Sequence, residues 1–86
     1  MIIDLDAHQG NGHEIDFIAE WGGVIKAIEI KSNSTFQPNF IKNLKFFQNL
    51  APHSDSYLVY NGIQEGVFEK TTLIPLKKIK YLLNPE

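Results

Sequence analysis

The tract "HEIDFIAEWGGVIKAIEIK", residues 13–31, constrains the fold more than any other part of the chain. Two runs of alternating character flank Trp21-Gly22-Gly23, and paired glycines accept the positive φ that a tight hairpin turn requires. Strict alternation in the first run groups Ile15, Phe17 and Ala19 on one face and Glu14, Asp16, Ile18 and Glu20 on the other. In the second run Val24, Lys26, Ile28 and Ile30 share a face, and Ile25, Ala27, Glu29 and Lys31 share the opposite one. The hairpin therefore carries two acids and a lysine where a sheet core would prefer apolar groups.

Upstream, "MIIDL" has the pattern of a short strand, and "DAHQGNG" reads as a loop because its glycines and Asn11 punctuate the chain. Downstream, "SNSTFQP" is a loop leading into a helix, with Pro38 suited to a first helical turn. In "NFIKNLKFFQNL" Phe40, Leu44 and Phe47 recur at helical spacing with Ile41 beside them, which leaves Lys42, Asn43, Lys45 and Asn49 facing outward. "SYLVY" is a continuous apolar run of the kind found in a buried strand, "VFEKTTLIP" a further extended piece, and "LKKIKYLL" a closing helix with Leu76, Ile79 and Leu83 on one stripe. Phe40, Phe46, Phe47, Tyr57 and Tyr60 have core spacing, although Phe46 lies off the main stripe and, with Trp21, is a candidate contact to a neighbouring subunit or domain. The expected fold is α/β, a mixed central sheet flanked by helices.

A chain of 86 residues is expected to form one small domain over residues 1–86, in which residues 1–11 are the least assignable. No run of about 18 apolar residues suggests a membrane span, and the first ten residues lack the plan of a signal peptide. The absence of cysteine excludes disulfides, thiolate metal sites and a cysteine nucleophile, and cytoplasm is the default compartment. Eight lysines, ten acids and no arginine give a net charge of −2, which argues against a strong independent nucleic-acid binder. Lys70, Lys77, Lys78 and Lys80 gather toward the C-terminus and read as a solvated surface.

Glu29 and Lys31 are two residues apart on a strand, so they share a side at about 6.5 Å spacing. If the hairpin sets Asp16 across from Glu29, two carboxylates converge with an ammonium nearby. Paired carboxylates suit Mg²⁺, with Mn²⁺ as the alternative, because Mg²⁺ keeps several waters and needs only one or two acids from the protein. A metal so held polarises a phosphoryl oxygen, and the lysine orients an attacking water or balances charge, which is chemistry for phosphodiester hydrolysis. The expected catalytic set is Asp16, Glu29 and Lys31.

Asp16 followed by Glu29-Ile30-Lys31 resembles the D-x(n)-[DE]-x-K pattern of the PD-(D/E)XK, or restriction-endonuclease-like, superfamily. Over residues 12 to 83, "GHEIDFI", "IKAIEIKS", "TFQPNFIKNLKFFQNL", "SYLVYNG" and "LIPLKKI" resemble, in order, the C-terminal domain of a large group of prokaryotic AAA+ ATPases. The resemblance implies a truncated restriction-endonuclease-like core that acts ancestrally on DNA. It implies Asp16, Glu29 and the Ile30 backbone carbonyl as metal ligands and Lys31 as the catalytic lysine. The chain departs from the pattern in two ways. It contains no G-x-x-x-x-G-K-[ST] motif, so it does not itself hydrolyse ATP and is expected to be a fragment or stand-alone derivative of the longer ATPase. No helix bearing an acid precedes residue 14, so the catalytic set is expected to be incomplete. The competing expectation is a non-catalytic accessory domain that packs on an ATPase module or forms a homo-oligomer.

A second likeness disagrees. "IIDLDAHQGNGHE", residues 2–14, is similar to the zinc-binding loop of histone deacetylase-like amidohydrolases, which implies Asp6 and His8 as Zn²⁺ ligands and Asp4 beside a structural cation. The histidine pair, distant carboxylate and tyrosine of that enzyme cannot be placed in this chain. The plainer expectation is that His8 and His13 lie in a glycine-rich surface loop.

Overall fold

The computed structural model describes the backbone of residues 2–9 and 13–83, with side chains over 15–20 and 22–82. Strands β1 (Ile2–Gln9), β2 (His13–Trp21) and β3 (Val24–Lys31) are followed by a 3₁₀ turn, Pro38–Ile41, that runs into helix α1 (Lys42–Leu50). Then come β4 (Asp55–Tyr60), β5 (Gly66–Phe68), β6 (Thr71–Pro75), a second 3₁₀ turn (Leu76–Lys78) and helix α2 (Ile79–Leu83). The six strands form one mixed sheet in the order β1-β2-β3-β4-β6-β5. β1, β2 and β3 pair antiparallel, β3 with β4 and β4 with β6 pair parallel, and β5 returns antiparallel to β6.

The β2–β3 hairpin closes at Trp21↔Val24, with Gly22 at φ 59° and Gly23 at φ 87°, the backbone that lets a two-residue turn follow the strand twist. The parallel pair β3 and β4 needs a crossover, and α1 supplies it. Pro38 starts that segment, where its missing N–H costs nothing. β4, in the middle, is buried on both faces: Leu58 and Tyr60 pack with Ile15, Ala27, Ile41, Leu44, Phe47 and Leu73, while Val59 packs with Ile28 and Leu82. The first cluster lies under α1 and the second under α2.

The sequence pattern and the structure part company at particular places. The "DAHQGNG" loop is shorter than expected, because the backbone of β1 continues through Gln9 and pairs with β2 as far as Gln9↔His13. His8 and His13 therefore sit in strands. "VFEKTTLIP" is two strands, not one extended piece, joined by Glu69 (φ 46°) and Lys70 (φ 68°) in the left-handed region. Neither residue favours that conformation. α1 holds the turn instead, with Lys45 Nζ donating to Glu69 Oε1 at 2.8 Å and Gln48 Nε2 to the Lys70 carbonyl at 3.4 Å. In the last segment Ile79 packs in the cluster with Ile28 and Leu82 as expected, Leu76 is 41% exposed because it lies in the 3₁₀ turn that begins the segment, and the side chain of Leu83 lies outside the described residues. In β2 the alternation breaks: Ile15 packs with Ile18 and Ala27, and Phe17 packs in the opposite cluster with Ile28.

The loops after β3 and β4 meet at the carboxyl end of these strands. The Asn61 N–H donates to the Asn33 carbonyl at 2.9 Å, and the Tyr60 hydroxyl donates to the Gln64 carbonyl at 2.9 Å. Gly62 lies against both: a Cβ there would meet the Ser34 carbonyl oxygen at 2.6 Å and the Tyr60 ring. Gly62→Ala is expected to destabilise the domain by about 1–3 kcal/mol through overpacking, read as a lower urea midpoint; an unchanged midpoint would show that this corner yields freely.

Candidate functional site

The regular β2–β3 ladder runs from Trp21↔Val24 to Phe17↔Ile28 and stops there. The next opposed positions are Asp16 and Glu29, and their side chains replace the ladder. Asp16 Oδ2 accepts the Ile30 N–H at 2.8 Å, and Glu29 Oε1 accepts the Asp16 N–H at 3.3 Å. Each carboxylate thus satisfies a backbone donor that the interrupted pairing leaves open. The strands diverge around two acids that face each other, as the sequence suggested.

Glu29 lies on the α1 face of the sheet and is only 5% exposed. Its second oxygen, Oε2, accepts from Asn43 Nδ2 of α1 at 3.3 Å. The sequence pattern put Asn43 on the outer face of the helix; the structure turns it inward, because the buried stripe of this segment is Ile41, Leu44 and Phe47, and position 43 borders it. A polar residue at the edge of an apolar stripe was the available signal. Lys31 closes β3, half-buried, with Nζ 5.6 Å from the centre of the Phe40 ring. This cation–π contact steadies the ammonium beside the acids. Phe40 in turn stands edge-on to Phe36, 6.2 Å between centroids.

Burial, then the charge of Asp16, push the Glu29 carboxyl up from 4.5 to about 7, against the Asn43 hydrogen bond and the Lys31 charge, which pull it down. Ile30 presents its side chain to the opposite, α2-covered cluster. In extended backbone a residue's N–H and C=O point to the same side, so the Ile30 carbonyl faces β2 beside Asp16. The donors available to a cation are then two carboxylates and one carbonyl, all hard oxygens of the kind Mg²⁺ accepts. Among the described residues no group of three or more His, Asp or Glu converges.

The site lies at the carboxyl end of β3, the end at which open α/β sheets bind ligands. Two surface hollows lie elsewhere. One is lined by Gln48, Asp55 and Tyr57 among others and the other by Lys26, Val67 and Tyr81 among others. Lys26 belongs to the latter side, where its Nζ donates to the Leu82 carbonyl at 3.4 Å near the end of α2, a favourable place for a cation. Lys78 pairs with Glu65 at 2.6 Å. The zinc-loop reading of Asp4, Asp6 and His8 rests on side chains outside the described residues; the backbone at these positions is strand, not loop.

A small mixed α/β domain with paired carboxylates at a strand end is the class that fold and site define. Residues 8–79 match the model of DUF4143, a domain of unknown function, and the chain belongs to that family. The match begins after Asp4 and Asp6 and includes Asp16, Glu29, Lys31 and Asn43. No curated protein matches the chain, and no solved structure does. Among the described residues no helix is long and apolar enough to cross a membrane.

A carboxyl whose folded-state pKa is raised binds its proton more tightly in the native protein than in the unfolded chain. Its stabilising contribution is complete below about pH 4.5 and is lost as the pH rises through about 7. The loss is at most about 3 kcal/mol. Urea midpoints of the metal-free protein should therefore fall between pH 5 and pH 8, and Glu29→Gln should flatten most of that slope; an equal slope in the variant would refute the assignment.

Proposed function

We propose that this chain is a restriction-endonuclease-like domain, by descent a Mg²⁺-dependent phosphodiester hydrolase acting on DNA, in which Asp16, Glu29 and Lys31 form the reactive set. The single observation behind this reading is the meeting of Asp16 and Glu29 across the end of the β2–β3 ladder. The pair lies at the carboxyl end of β3, the end at which open α/β sheets bind ligands. On this reading the chain corresponds to the nuclease-like part of a longer AAA+ ATPase.

The residues fit the metal. Asp16, Glu29 and the Ile30 carbonyl would hold it, and a cation there offsets the two effects that raise Glu29, its burial and its acidic neighbour. When bound, Mg²⁺ polarises the scissile phosphoryl group and favours the ionised form of an attacking water. Lys31, held near the acids by Phe40, donates hydrogen bonds to that water or to a non-bridging phosphate oxygen and balances the negative charge gathering in the transition state. Asp16 stays anchored on the Ile30 N–H throughout, which keeps its carboxylate from swinging away from Glu29.

A second reading has its own observation. Ile63 is 85% exposed, Val67 72% and Tyr81 64%, on a loop, the edge strand β5 and helix α2, and Val67 and Tyr81 line one shared hollow. Exposed apolar groups of this size favour an accessory domain that packs against an ATPase module or another copy of itself, with the charged set inherited and idle.

Mn²⁺ binding, followed by electron paramagnetic resonance, and cleavage of plasmid and single-stranded DNA separate the two. The hydrolase reading expects binding in the wild type, its loss in Asp16→Asn and Glu29→Gln, and cleavage lowered about 100-fold or more in Lys31→Ala with the metal retained. Absence of both binding and cleavage in the wild type would leave the packing module.

A further inference from the structure

The Asp16 and Lys31 side chains come from the sheet, but the group that fixes the outer oxygen of Glu29 comes from α1. Asn43 Nδ2 donates to Oε2 at 3.3 Å, while the Asp16 N–H holds Oε1, also at 3.3 Å. With one donor on each oxygen, rotation of the carboxylate about its last torsion breaks at least one bond, so its plane is set jointly by β2 and α1. The backbone of Asn43 is fixed in turn. It is the second residue of α1, and the helix is seated by Ile41, Leu44 and Phe47 in the main core cluster.

We propose that Asn43 is a positioning residue that orients the Glu29 carboxylate for the cation shared with Asp16. This rests on the metal-ion reading given above and adds to it a residue that no part of the D-x(n)-E-x-K pattern contains. Groups that hydrogen-bond a metal-ligating side chain fix its orientation, and their removal typically weakens metal binding about 10–100-fold. A helix residue acting through the acid also ties the site to the seating of α1: a shift of the helix moves the Nδ2 donor and with it the Glu29 plane.

The test combines metal affinity with the amide group itself. Mn²⁺ affinity is measured by electron paramagnetic resonance on the full chain for the wild type and Asn43→Ala, and the side-chain NH₂ resonances of Asn43 are followed by nuclear magnetic resonance in the wild type and Glu29→Gln. The expected results are a 10–100-fold weaker Mn²⁺ affinity in Asn43→Ala at an unchanged circular dichroism spectrum, and NH₂ resonances that move both in Glu29→Gln and on addition of Mg²⁺ to the wild type. A residue that only packs the helix would show neither movement. Affinity unchanged within about twofold in Asn43→Ala, a ratio too small for a lost orienting bond, overturns the proposal, as do NH₂ resonances indifferent to Glu29→Gln. If the wild type binds no Mn²⁺, the metal reading fails by that result, and the response of the NH₂ pair to Glu29→Gln still decides whether Asn43 holds the carboxylate.

Discussion

The reciprocal bridge between Asp16 and Glu29 is the contact on which the geometry of the site depends. Two antiparallel strands that separate leave backbone donors without partners, and inside a protein an unmatched donor costs roughly 1–3 kcal/mol. Here the Ile30 and Asp16 N–H groups are taken by carboxylate oxygens at 2.8 and 3.3 Å. The strands can part without orphaned amides, and the gap they leave is lined with negative charge. The same two bonds fix the direction of both acids, so the parting of the strands and the pairing of the carboxylates are one structural event.

Burial of Glu29 is hard to account for by stability alone. A buried carboxyl beside a second acid is destabilised in its ionised form, which is why it titrates near neutrality, and an apolar residue of similar size is often neutral or better at such places. The ordinary remedy, a close ion pair, is only partly present: Lys31 lowers the acid, but its ammonium rests over the Phe40 ring. Strain of this kind gathers at functional sites, where a group is held in readiness for a ligand of opposite charge. That physical tension supports the metal-ion reading independently of the sequence pattern.

Much of the framework was legible before any coordinates. Gly22-Gly23 fixed the hairpin, "SYLVY" marked the strand buried on both sides, and the division of Ile25, Ala27 and Glu29 from Ile28 and Ile30 is the one observed. What escaped reading shares one cause: tertiary contacts overrode local pattern. Glu69 and Lys70 make a left-handed turn without glycine or asparagine because Lys45 and Gln48 of α1 bind it. Ile15 leaves its alternation because the carboxylates interrupt the ladder one residue later. Asn43 reads as outward because it is polar, yet it borders Leu44 and Phe47 on the buried side of α1, where its amide meets the Glu29 carboxylate.

The segment Pro38–Leu50 connects fold to site. Asn43, Leu44 and Phe47 all lie within α1, and position 43 stands one turn before Phe47 and so beside the buried row, which brings its amide to Glu29 Oε2. A 3₁₀ turn advances the chain by three residues per turn, not 3.6, so four residues of it rotate everything that follows relative to a continuous α-helix. Pro38 opens this turn without a donor to lose. The Phe40 ring, partly buried, packs against the main core cluster and carries the Lys31 ammonium over its face. The segment Pro38–Leu50 thus places Asn43 against one site residue and Phe40 against another, the first from within the helix and the second from the 3₁₀ turn before it.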